Sequence, residues 1–125
     1  MSDSRAVAVA MAHLEAWTNH DLERARNNLA EGVEFFSAAG HLAGIGEYMD
    51  GPRGLRQFAL QVVPGSLRVI ATSGNDQNAL IMYEVDTAGG PLGQKTFPSA
   101  QTWQLDDDGR ILVERIVSYA TSRAA

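Results

Sequence analysis

The sequence contains no cysteine, which removes disulfide frameworks, thiolate metal sites and cysteine nucleophiles together. That fits a cytoplasmic protein without requiring one. Of its ten basic residues only Lys95 is a lysine, a bias read as composition rather than function. The net charge of -5 leaves no excess of positive charge. A phosphate backbone is bound by releasing counterions from a basic surface, so nucleic acid is not an expected partner. No stretch approaches the run of about 20 apolar residues that a membrane span needs. The opening MSDSRAVAVAMAHLEAW is interrupted by Arg5, His13 and Glu15, so neither a span nor an export signal is expected, and the protein reads as soluble. His13, His20 and His41 show no HxH or HExxH spacing, and no glycine-rich loop follows a strand. The run Asp106 to Asp108 is a solvated hairpin turn rather than a calcium loop. No metal and no nucleotide cofactor are expected.

What is present is an ordinary globular balance, 45% hydrophobic and 20% charged in 125 residues, enough for one domain over residues 1–125. Val7, Ala10, Met11, Leu14 and Trp17 recur at helical spacing, which predicts an amphipathic first helix with His13 at the edge of its buried stripe. The phase restarts after His20. Asp21 is the expected N-cap of a second helix, whose stripe of Leu22, Ala25 and Leu29 runs to a stop at Gly32, while His20 is expected to face solvent. Alternation from Val33 to Ser37 predicts a strand. SAAGHLAGIGE then reads as an irregular hairpin or loop. In DGPRGLRQFALQVVPG a cap at Asp50 or Gly51, Pro52 near the first helical position, and Leu55, Phe58 and Val62 predict a third helix. Four strands follow, LRVIATS, NALIMYEVDT, QKTFPSAQTWQL and RILVERIVSYA, separated by turn-rich segments. Helices first and a meander of antiparallel strands after them define an α+β class with the helices on one face of the sheet.

The last hairpin decides which side chains meet. A four-residue loop Asp106–Gly109 would pair Leu105 with Arg110, Trp103 with Leu112, Gln101 with Glu114, Ser99 with Ile116 and Phe97 with Ser118, all on the helix-covered face. A slip of one residue would instead turn Val113 and Val117 inward. In the preferred register this face mixes a large apolar wall with a few polar groups, the composition of a small-molecule pocket. Leu80 and Met82 fall on the opposite face from Ile81, Tyr83 and Val85. Both sheet faces are thus partly apolar, and the outer one is expected to meet a second copy in a homodimer.

The sequence of landmarks, NHDLERA between two helices, LAEGVEFF, GPRGLRQF and a meander closing with DDDGRI, resembles the nuclear transport factor 2-like superfamily over about Val7 to Tyr119. Within it the chain is similar to the SnoaL-like and ketosteroid isomerase-like group. The resemblance implies a cone-shaped, curved antiparallel sheet with about three helices on its concave face. It implies little about the reaction, since the superfamily holds isomerases, cyclases, dehydratases, epoxide hydrolases and members without chemistry. Carried over residue by residue, the ketosteroid isomerase tyrosine falls at His13, its catalytic aspartate at Ser37 and its second acid at Gln101. None is retained, so steroid isomerisation by that mechanism is not implied.

A different polar set then faces the expected cavity. Glu114 is the sharpest candidate, because a carboxyl in an apolar pocket is pushed toward neutrality and becomes a competent acid or base. On the slipped register it would face solvent or pair with Arg115 or Arg68. His13 is the second catalytic candidate, able to polarise a substrate oxygen or relay a proton, or else a helix-edge residue with one hydrogen bond. Gln101 would donate to substrate or orient Glu114. The remaining expected substrate contacts are Trp17, Phe35, Ser37, Tyr48, Phe58, Tyr83, Phe97, Ser99, Trp103 and Ile116. Two functions are left open: cofactor-free acid–base catalysis on a small, oxygenated, hydrophobic molecule, and a non-catalytic ligand-binding or dimerisation module.

Overall fold

The computed structural model describes residues 4–125. Its first helix, α1 (Arg5–Thr18), starts at Ser4, whose side chain accepts from the Val7 amide, and buries Ala6, Ala10 and Leu14 with no exposed surface. It ends in a reverse turn: the Asp21 amide donates to Ala16 O at 2.9 Å and His20 takes a φ of +68°. His20 is exposed, yet its Nε2 lies 2.7 Å from Val62 O, so it ties the helix junction to the chain near Val62 rather than only facing solvent. Asp21 caps α2 (Leu22–Asn27) by accepting from the Arg24 amide, one of the orphan donors of a helix start.

The second helix is shorter than its apolar stripe predicts. Asn28 turns its side chain back onto Arg24 O, and its carbonyl accepts from the Ile111 amide at 2.8 Å. The chain is therefore already a strand at Leu29, which pairs with Ile111 and stays buried. β1 (Leu29–Ser37) turns into β2 (Gly40–Ala43) as a hairpin. Directly beyond it lies a helix the sequence reading leaves as loop, α3 (Ile45–Asp50). The third predicted helix contracts to α4 (Leu55–Ala59). Pro52 lies in the turn before it, because the chain folds tightly back on α3: a Cβ at Gly54 would stand 2.6 Å from Tyr48 O and 2.9 Å from Glu47 O. Asp50 caps nothing and instead pairs with Arg26 and Arg56. Val62 leaves the helix to bridge Thr87.

The strands β3 (Arg68–Gly74), β4 (Asn78–Asp86), β5 (Lys95–Leu105) and β6 (Ile111–Val117) form the expected antiparallel meander. A short β7 (Arg123–Ala124) pairs with the start of β5. The sheet order is β2-β1-β6-β5-β4-β3. It is mixed rather than wholly antiparallel, since β1 runs parallel to β6. The result is an open α+β cone in which α1 packs across β3, β4 and β5 and α3 packs on β1 and β2. Ile81, Tyr83 and Val85 point into the core while Leu80 is exposed on the outer face, as their alternation predicts.

The last hairpin departs from the expected register twice. Asp106 accepts from the Gly109 amide and donates to Arg110 O, with Gly109 at a φ of +82°, so three residues rather than four make the turn. An extra residue, Leu112, is then bulged between the Leu105–Ile111 and Gln104–Val113 pairs. Gln101 therefore faces Ile116, and Trp103 faces Glu114. The two displacements add to an even number, which returns Glu114 and Ile116 to the helix side. Ile111, not Leu112, fills the inner position near the turn and has no exposed surface.

Candidate functional site

Between the helices and the sheet lies a cavity of about 440 Å³, within the range of small-molecule sites. Ten of the residues expected to contact substrate line it: Trp17, Phe35, Ser37, Tyr48, Phe58, Tyr83, Phe97, Ser99, Gln101 and Ile116. Its aromatic wall is locked by contacts among its own members. Phe58 meets Phe97 edge to face at 5.6 Å, and tilted contacts join Phe58 to Trp17 at 5.9 Å and Phe35 to Tyr48 at 5.4 Å. Trp103 lies behind the wall instead, 1% exposed and directly across from Glu114. The cavity also uses Leu42, Arg53 and Leu55. Leu42 is visible in hindsight as the inward residue of β2. No periodicity marks Arg53, because the turn that places it depends on the close approach of Gly54 to α3.

His13 and Glu114 are not on the cavity surface. Both have no exposed area and sit beneath its inner end, His13 Nε2 3.8 Å from Glu114 Oε2. The groups that separate them from the cavity are Tyr48, Tyr83 and Gln101. Tyr83 donates to Gln101 Oε1 at 2.8 Å, and Gln101 Nε2 donates to Glu114 Oε1 at 2.6 Å. These two bonds fix the amide's orientation and leave Glu114 held from one side. Its other oxygen, Oε2, has no hydrogen-bond partner among the described residues, and neither has Trp103 Nε1.

The His13 ring is oriented by the backbone. Its Nδ1 lies 3.0 Å from Ala25 O, which can only accept, so Nδ1 carries a hydrogen and, in the neutral ring, Nε2 is the acceptor. That nitrogen lies 3.4 Å from the Tyr48 hydroxyl. Burial raises the Glu114 pKa above its ordinary 4.5, with His13, Tyr48, Trp103 and Gln101 pulling it back. Burial also raises Tyr48 well above 10.0, reinforced by the nearby Glu114, and raises Tyr83 for the same reasons. Both tyrosines are therefore neutral hydroxyls at physiological pH, suited to donating hydrogen bonds. Among the described residues no cluster of three or more His, Asp or Glu could hold a metal, and no helix is long and apolar enough to cross a membrane.

The described residues thus form a small open α+β cone with an aromatic-walled cavity, backed at its inner end by a buried carboxyl and imidazole. The chain belongs to the SnoaL-like domain family, whose profile matches residues 10–114, within the nuclear transport factor 2-like superfamily. Among solved structures, a protein from Kribbella flavida DSM 17836 is 27% identical with a TM-score of 0.78, over 93% of this chain and 88% of that one. A protein assigned as a SnoaL-like polyketide cyclase from Shewanella putrefaciens CN-32 superposes with a TM-score of 0.77 at 13% identity, over 94% and 81%. An epoxide hydrolase of the LEH-like type from M. tuberculosis gives 0.69 at 16% identity, over 90% and 80%. At those last two identities the likeness is one of fold. No curated protein matches the sequence.

Proposed function

We propose that this chain is a cofactor-free acid–base enzyme acting on a small, largely apolar molecule that carries an oxygen function, with chemistry of the isomerase, cyclase, dehydratase or epoxide-opening type. The observation that supports it is the polar group at the inner end of an otherwise apolar cavity: a fully buried carboxyl with one unpaired oxygen, 3.8 Å from an imidazole whose tautomer is set by Ala25 O. In this reading the substrate oxygen enters between the Tyr48 and Tyr83 hydroxyls. Tyr48 gives it a proton, and His13 and Glu114 restore that proton from behind. Glu114 is thus the proton reservoir and His13 its relay, both acting through Tyr48, while Gln101 holds the carboxyl in place. Such a general acid contributes about 10² to 10⁴ in rate.

The test is turnover of styrene oxide and of a β,γ-unsaturated cyclohexenone by the wild type, Tyr48→Phe and Glu114→Gln. Both variants should lose at least about 100-fold in kcat with the fold intact. A Glu114→Gln protein that turns over at the wild-type rate removes Glu114 from the mechanism. The 2.6 Å bond between Gln101 and Glu114 favours a second reading, a ligand-binding or dimerisation module in which those two residues only satisfy each other. It requires that both variants bind ligand as the wild type does and that no variant or substrate shows turnover.

The outer sheet face supports a homodimer. Ala71, Met82, Ala100 and Val117 are cross-strand neighbours in one row over four strands, and Leu80 is 42% and Val117 62% exposed. Analytical ultracentrifugation checks this. Leu80→Glu should give a monomer, and a wild-type monomer at micromolar concentration contradicts it.

A further inference from the structure

We propose that Arg53 is a carboxylate-docking residue at the mouth of the cavity, so that the ligand is an apolar molecule with a carboxylate at one end and an oxygen function at the other. This deepens the reading of the cavity as a substrate site and rests on it. Arg53 is the one charged side chain among the described residues that line the cavity. It is exposed, and its Nη1 donates to Ala39 O at 3.0 Å. That single bond steadies the guanidinium over the β1–β2 turn and leaves its other N–H donors without a protein acceptor among the described residues. Five donors in a planar fork suit a carboxylate taken bidentately.

The placement is built by the fold. Gly54 is buried against α3, with Tyr48 O only 2.6 Å from where a Cβ would stand, and this close approach carries Arg53 to the rim. Tyr48, from the helix just before that turn, reaches the inner end. The same short unit therefore sets both ends of the cavity, and a ligand lying along it would touch Arg53, the aromatic wall and Tyr48 in turn. Nearby Arg26 and Arg56 are committed to Asp50, whereas Arg53 has no carboxylate partner among the described residues. A single guanidinium neutralises one charge. In a chain of net charge -5 that favours a monoanionic carboxylate over a phosphate dianion.

The experiment titrates nitrogen-labelled protein with benzoylpropionate and with its primary amide, a pair that differs in charge and shares the ketone, while amide and indole N–H resonances are followed by NMR. The acid should bind at least about tenfold more tightly than the amide at low salt and lose that advantage as salt is raised. In Arg53→Gln the ratio should fall to about one with the amide's affinity unchanged, and Arg53→Lys should keep part of the preference. Equal binding of acid and amide to the wild type, or an undiminished preference in Arg53→Gln, overturns the assignment of Arg53 while leaving the cavity reading standing. No shift of the Trp17 indole or the Ser99 amide with either compound overturns both.

Discussion

Replacing Glu114 by Gln separates two descriptions of the buried pair. The carboxyl has no exposed surface and keeps one oxygen unpaired, and desolvation raises its pKa above 4.5 against the pull of His13. When the folded pKa is the higher one, the folded protein holds a proton that the unfolded chain has released. The stabilisation is complete below the unfolded value and is lost as pH rises through the folded value. Over that window the loss amounts to at most about 1.4 kcal/mol per pH unit. Glutamine has nearly the same shape, its carbonyl can keep the Gln101 bond, and it never ionises. Glu114→Gln should therefore equal the wild type in acid and become progressively the more stable protein as pH rises, until the difference levels off.

Urea unfolding at fixed protein concentration, followed by the fluorescence of buried Trp17 and Trp103, measures this from about pH 5 to 9. The other carboxylates titrate alike in both proteins and cancel in the difference. If Glu114 is instead ionised against a charged His13, the variant strands a buried imidazolium. It should then start about 3 to 5 kcal/mol less stable than the wild type at the acid end of the range, where the first description has the two proteins equal. That outcome refutes burial as the dominant influence on the carboxyl.

Leu14→Ala should cost about 2 to 5 kcal/mol in urea unfolding, since Leu14 has no exposed surface, while Phe58→Ala should cost less because one side of the ring already faces the cavity. Asp86, held at about 2 first by Arg68 and then by Thr96, stabilises the fold above its ordinary 3.8 and loses that contribution as pH falls through about 2. Asp86→Asn should thus be destabilised near neutrality, and the difference should close in acid denaturation. Gly54→Ala puts a Cβ 2.6 Å from Tyr48 O, so it should lower the melting temperature and weaken binding of benzoylpropionate, readable by calorimetry.

The α+β class and six of the elements that line the cavity, α1, α4, β1, β4, β5 and β6, follow from periods of 3.6 and 2 and from the glycine, asparagine and aspartate punctuation. Lengths do not. The stripe that includes Leu29 is continuous in sequence whether the chain is helix or strand there, and only the Ile111 amide bonding to Asn28 O ends the helix early. In the same way α3 has too few residues for a periodic signal, and its start depends on packing against β1 and β2. The parallel pairing of β1 with β6 joins residues far apart in sequence, where no local pattern reports a partner.

The last hairpin shows why a residue's face can be legible when its partner is not. Inward and outward alternate with period two, so face depends only on whether a displacement is odd or even. The three-residue turn and the Leu112 bulge each displace the strand by one. Either alone would have sent Glu114 to solvent; together they keep it inside while changing its neighbour from Gln101 to Trp103. Depth obeys a different rule. Periodicity brings His13, Gln101, Tyr83 and Glu114 to one side of the sheet but cannot say which of them a ligand meets. That is decided by Tyr48 on a helix too short to announce itself, whose ring stands beside His13 and whose hydroxyl reaches its Nε2. On the proposed function the chemistry turns on Tyr48, because through it the buried carboxyl acts on a substrate it never touches.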